Sequence, residues 1–228
     1  MTKSGLPDHQ QRLWDEYASA EGAGPRADAI SKLRLFISAV DAVELTERDS
    51  WALALVQRCF DSGGTPPIRQ PLFAEVIFPA LLRGLLEGSR VCARWLGSAP
   101  ATLFSPSQRS LLPEGLRSPV DLLAFAADGG KDARASASLA AELARLLGDA
   151  VHEVPAGVLY DSHGASASEL AELQSDLELF CVTVDQLDLR DHHAALIDKC
   201  RYHFDRYQGW LSQPTRSTSF SEYLDQHK

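Results

Sequence analysis

Residues 170–187 read LAELQSDLELFCVTVDQL, and the fold class turns on them. Phe180 to Val184 (FCVTV) is the one β-prone patch of the sequence. It lies inside a run whose apolar residues recur at three- and four-residue steps, the period of a helix rather than the alternation of a strand. Just upstream, Ser166 and Glu169 have the spacing of a capping box, which opens a helix. The patch therefore reads as helix, and no alternating run long enough for a sheet remains elsewhere. The expected fold is all-α, an irregular helical bundle or a short α-solenoid of about 8–10 helices.

The same reading extends in both directions. PRADAISKLRLFISAVDAVEL opens with Pro25, a favoured first-turn residue, and carries Ile30, Leu33, Ile37 and Val40 on one face. Thr46 and Asp49 have capping-box spacing ahead of WALALVQRCF, which ends at Gly63-Gly64. In PLFAEVIFPALLRGLLEG, Pro79 is expected to kink the helix or end its first part. SRVCARWLG is a short helix expected to stop at Gly97. Pro100, Pro106 and Pro113 make residues 99–118 the longest irregular stretch, a connection between helical pairs in 1–98 and a bundle in 119–228, with one packed domain expected in all. Within the first part, 25–62 and 68–98 look like tandem helix pairs, without the signature of a known repeat.

Farther on, Ser118 and Pro119 open SPVDLLAFAA, and Gly129-Gly130 read as a helix stop. ARASASLAAELARLLGDAVHEV is a long helix rich in alanine and leucine. Asp188 is expected to cap LRDHHAALIDKCRYHFDRYQGWL, and Ser219 with Glu222 to box a short terminal helix.

Composition narrows the functional classes. With 31 acidic and 22 basic residues the net charge is −9, which argues against nucleic acid and anionic membrane as partners. A hydrophobic fraction of 45% fits a folded chain able to bury about 70% of its unfolded surface without disulfides or a structural metal. Residues 1–17 lack the apolar core of a signal peptide, and the apolar patch around 72–86 is broken by Glu75 and Arg83. The four cysteines are far apart and sit in apolar-periodic segments, as free buried thiols do. A cytoplasmic location is expected.

Three constellations merit weighing. VHEVPAGVLYDSHG (151–164) sets His152 and Glu153 near Tyr160, Asp161 and His163. A zincin needs its two histidines four residues apart on one helix, and Pro155 interrupts any such helix here. His152 therefore reads as a helix-end residue favoured by the dipole, and the rest as a loop that can carry binding groups. In DHHAALIDKCRYHFDRYQGW, His193, Cys200 and His203 are of metal-ligand type, yet Leu189, His193, Leu196, Cys200, Tyr207 and Leu211 form a core stripe. Off that stripe lie Arg201, Tyr202, Arg206 and Trp210, residue types enriched at interface hot spots. No GxGxxG, Walker loop, EF-hand, GxSxG elbow or ExxH pair is present, so no metal and no cofactor is assigned.

These observations favour a non-enzymatic module that binds or occludes another protein, a basic one by charge; an immunity or antitoxin-like protein is one concrete form. The competing expectation is an enzyme or small-ligand protein with a His/Glu/Asp pocket between helices.

Overall fold

A computed structural model describes residues 6–23, 25–61, 68–153, 166–213 and 220–226. These residues form eleven helices and no strand, so the chain is all-α. None of the helices is long and apolar enough to cross a membrane. The chain divides into two compact units, Met1–Phe125 and Ala126–Lys228.

The first unit begins with α1 (Asp8–Ala23), a helix not read from the sequence. Its Trp14, Tyr17 and Ala20 are buried at three-residue steps, where polar neighbours mask the periodicity. α2 (Arg26–Val40) packs along α1, whereas α3 (Leu45–Phe60) packs on the two helices that follow it. The pair expected over 68–98 does pack together, whereas in 25–62 each helix finds its main partner outside the pair. α2 and α3 meet instead through aromatic rings: Trp14 lies 5.3 Å from Phe36 and 5.1 Å from Trp51, and Phe36 lies 5.2 Å from Trp51. Large rings at such spacings bury much area and prefer tilted or edge-on contacts, which these are.

α4 runs from Gln70–Leu72 through a π-turn at Phe73–Ile77 into Phe78–Leu86. Pro79 explains the π-turn. It has no N–H to give the carbonyl of Glu75, and in a regular helix its ring would press on that carbonyl. The chain absorbs this by widening one turn, with the N–H of Phe78 donating to the carbonyl of Phe73 five residues back. Regular α-helix thus resumes at Phe78, with Pro79 in its first turn.

α5 (Arg90–Ser98) is capped by Ser89, whose Oγ accepts from the N–H of Cys92. Gly97 is not its stop. The helix runs one residue past it, to Ser98, and the glycine matters for packing instead: a Cβ there would sit 2.7 Å from Leu123 Cγ and 3.1 Å from the carbonyl of Pro119. The glycine lets α5 approach α7 (Pro119–Ala127) closely. The connection at 99–118 contains a 3-10 turn, Ala101–Leu103, and a short helix α6 (Pro106–Leu111) with a Ser105–Gln108 capping box.

Three arginine–carboxylate forks tie distant parts of this unit together. Arg69 donates to both oxygens of Glu21 (2.7 and 2.6 Å), Arg83 to both oxygens of Asp49, and Arg94 to both oxygens of Asp61 (2.6 and 3.1 Å). Asp49 is therefore not half of a capping box; Glu44 caps α3 by accepting from the N–H groups of Thr46 and Glu47.

The second unit is built from α8 (Ala133–Glu153), α9 (Ala167–Gln186), α10 (Arg190–Leu211) and α11 (Phe220–Gln226). α8, α9 and α10 pack on one another, and α11 packs on α10. Phe180 and Val184 of the β-prone patch are buried helical residues, and both halves of the Ser166–Glu169 capping box form. Gly129 and Gly130 take positive φ (65° and 96°), as a helix stop requires. Asp188 does not cap α10. It adopts a left-handed conformation (φ 56°) that closes α9, with the N–H of Leu189 donating back to the carbonyl of Val184. Ser219, expected to box α11, lies outside the described residues.

Two glycine substitutions separate close approach from helix propensity. Gly97→Ala should lower stability by about 1–3 kcal/mol, since Leu123 and the Pro119 carbonyl must yield. Gly148→Ala in α8, where a Cβ meets nothing, should raise it by about 0.5–1 kcal/mol. Urea unfolding of both variants reads the two opposite signs.

Candidate functional site

His152 lies in the last turn of α8 and is exposed, while Glu153 beside it is half-buried. Tyr160, Asp161 and His163 lie outside the described residues. His152 is thus placed as a helix-end residue, where a cation meets the carbonyl end of the dipole.

On α10 the buried stripe is Ile197, Cys200, Phe204, Tyr207 and Trp210, with His193 and His203 half-buried at its edges. Leu189, placed on the stripe from the sequence, is exposed. Trp210, placed off it, is only 8% exposed; its ring lies 5.2 Å from Tyr207 and 5.7 Å from Phe220 of α11. Trp210 is a core residue that receives the terminal helix. It faces inward because positions 203, 207 and 210 follow the same side of the helix as 200 and 204.

Chemistry on this stripe is muted. Burial pushes the Cys200 thiol up to about 12, with nearby Cys181 adding to the effect, so the thiolate needed for metal binding or nucleophilic attack is not available near neutral pH. Burial also holds His193 and His203 below the ordinary histidine value, helped by His192 and Lys199 respectively. His193 packs edge-on against Phe180, ring centres 5.1 Å apart. Among the described residues, no group of three or more His, Cys, Asp and Glu side chains is placed to hold a metal ion.

The opposite face of α10 is different. Tyr202 is 47% exposed, and the Arg206 guanidinium, one turn on, sits over its ring at 5.7 Å. Arg201 is exposed beside them. Asp198, Lys199 and Asp205 fall three or four residues from Tyr202 and form no ion pair among the described residues.

The first unit holds a second feature that no motif announces. A small apolar cleft, with a cavity volume of about 10 Å³, opens between α5, the 99–118 segment and α7. Leu96, Phe104, Leu112 and Leu122 wall it, and Arg109 and Arg117 line it. The Arg109 guanidinium lies over the Phe104 ring at 5.4 Å. Phe104 in turn rests on Phe73 and Phe78, at 5.0 and 6.0 Å. The only sequence signal was indirect: arginines spaced among prolines in a segment read as a connection.

Two outcomes follow for α10. Trp210→Ala should cost about 3–5 kcal/mol of stability, as a large buried side chain does. The lowered histidine values also set a direction with pH. The unfolded chain binds protons at higher pH than the folded one, so stability is complete above the unfolded histidine value of about 6.5 and is lost as pH falls through the folded values. His203→Gln should therefore narrow the gap between thermal midpoints measured at pH 7.5 and pH 5.

No family model, curated protein or solved structure matches the chain.

Proposed function

We propose that the protein is a non-enzymatic module that engages another protein through the outward face of α10, with Arg201, Tyr202 and Arg206 as its anchors. One observation carries this reading: an exposed tyrosine with an arginine held over its ring. Tyrosine offers a large rigid surface with few torsions to freeze, and a stacked guanidinium keeps its donors in a fixed plane for a partner's carbonyl or carboxylate. Residues of these two types dominate the energetics of protein interfaces. On α8, by contrast, Arg145 is bracketed by Glu142 and Asp149 at one-turn spacing, as on an ordinary solvated face.

The charge of −9 supports a basic partner, because the long-range field speeds its approach while the local anchors decide its orientation. Binding would act by occlusion or scaffolding, and an immunity or antitoxin-like role is one form of it.

The test is a capture experiment with the full chain, followed by affinity measurements on the purified partner. Tyr202→Ala and Arg206→Ala should leave the thermal midpoint nearly unchanged, because Tyr202 is exposed and Arg206 is only half-buried. Combined, they should weaken partner binding by about 30-fold or more, as loss of a hot spot does. A partner that binds the double variant as tightly as the parent, or no retained protein at all, rejects this role for α10.

A further inference from the structure

We propose that a second copy of this chain pairs with the outward face of α10, the two helices running parallel, so that an acidic row on each copy meets a basic row on the other.

A seven-residue spacing orders this face. Asp191, Asp198 and Asp205 form one row, His192, Lys199 and Arg206 a second, and Ala195 and Tyr202 the line between them. At about 100° per residue, the two rows lie about 40–60° to either side of that line. All of these residues are exposed except Arg206, which is half-buried with its guanidinium over the Tyr202 ring. Farther along the line is closed, because the Tyr223 hydroxyl of α11 lies 2.8 Å from where a Cβ on Gly209 would be. The open stretch, 191–206, is about 22 Å long.

The rows cannot satisfy each other within the helix. Neighbours in sequence such as Asp198 and Lys199 point about 100° apart, whereas pairing along a helix needs a step of three or four residues. At those steps from Lys199 stand Ala195, Leu196, Tyr202 and His203; from Arg206 they are Tyr202, His203, Gly209 and Trp210. Neither cation has a carboxylate in reach along α10. Arg201, beyond the acidic row, is suitably spaced from Asp198 and Asp205, yet none of the three forms an ion pair among the described residues. On α8 the same spacing does produce pairs, Arg145 with Glu142 and Asp149.

A second copy supplies what is missing. A two-fold axis along a parallel pair sets Asp198 against Lys199 of the other copy and Asp205 against Arg206, each contact occurring twice. An antiparallel pair would set acid against acid and base against base, so the pattern selects the parallel one. Ala195 permits close approach, and Tyr202 meets its own counterpart as an aromatic pair. Each copy carries a net charge of −9, but salt at about 0.15 M screens that repulsion beyond about 8 Å and leaves the local contacts to decide. Exposed ion pairs contribute little apiece and the contact is short, so the dimer is a weak one, with a Kd on the order of 10–100 µM. The pairing rests on the reading of this face as an interface and adds its regulation: Tyr202 and Arg206 are covered in the dimer, so any other partner competes with a second copy.

Sedimentation velocity on the full chain, from about 1 µM to about 0.5 mM, should show a reversible monomer–dimer shift. Asp198→Lys with Asp205→Lys makes both rows basic, and Lys199→Glu with Arg206→Glu makes both acidic. Each double variant should stay monomeric with a thermal midpoint close to the parent's, and the two mixed in equal amounts should dimerise at least as tightly as the parent. A fourfold variant with the rows exchanged (Asp198→Lys, Lys199→Asp, Asp205→Arg, Arg206→Asp) should pair with itself but not with the parent, as only a parallel arrangement requires. The proposal is overturned by a parent that stays monomeric, by double variants that dimerise like it, by a mixture that stays monomeric, or by a row-exchanged variant that pairs with the parent. A monomeric parent rejects the self-pairing alone, since capture of a different protein is read in a separate experiment.

Discussion

A proline inside a helix leaves the carbonyl four residues back without a donor and pushes a ring against it. In α4 this conflict at Pro79 is resolved by a single widened turn rather than by a break. The consequences reach well beyond the local backbone. The wider turn returns Phe73 and Phe78 to the same side, where both rest on Phe104. Phe104 then carries Arg109 and forms a wall of the cleft. A missing hydrogen in the middle of one helix thus sets the position of a cation two elements away.

The two units are stabilised by different means. In the first, aromatic clustering around Trp14, Phe36 and Trp51 is combined with arginine forks that bridge sequence separations of 33 to 48 residues. The Arg94–Asp61 pair is the most enclosed, its side chains 8% and 11% exposed, and the Trp95 indole N–H points at the same carboxylate at 3.4 Å. Removing charges this far from water is costly, so such a pair adds less net stability than its short distances suggest; what it does enforce is partner choice, since either charge left alone would be penalised heavily. In the second unit the described ion pairs are local, and packing rests on the alanine- and leucine-rich face of α8 against α9 and α10.

Three of the groups that attract the eye in the sequence lie where burial suppresses their chemistry. Cys200 is buried with a raised thiol value, and His193 and His203 are held toward their neutral forms. The anchors of the proposed interface are instead arginines and one tyrosine, which belong to no catalytic motif. They were hard to see because an arginine's role depends on whether a carboxylate reaches it, and that is decided by residues far away in the chain. Tyr202 and Arg206 were legible as a pair, since one helical turn separates them. Arg109 and Phe104 were not.

What the sequence determined by itself is what depends on contacts within a few residues. Helical periodicity identified the all-α class, and the Ser166–Glu169 box, the Ser118 cap and the Gly129-Gly130 stop all form as their spacing implied. These are hydrogen bonds and backbone preferences spanning about four residues, so a short window contains both partners. Only the tertiary structure decided that α2 pairs with α1, that Asp49 serves Arg83 rather than a helix cap, that Gly97 is a point of close approach, and that Trp210 faces inward. Each of these depends on a surface brought up from a distant segment or a separate helix. Packing density, which admits one close arrangement of side chains, then overrides what any local pattern prefers.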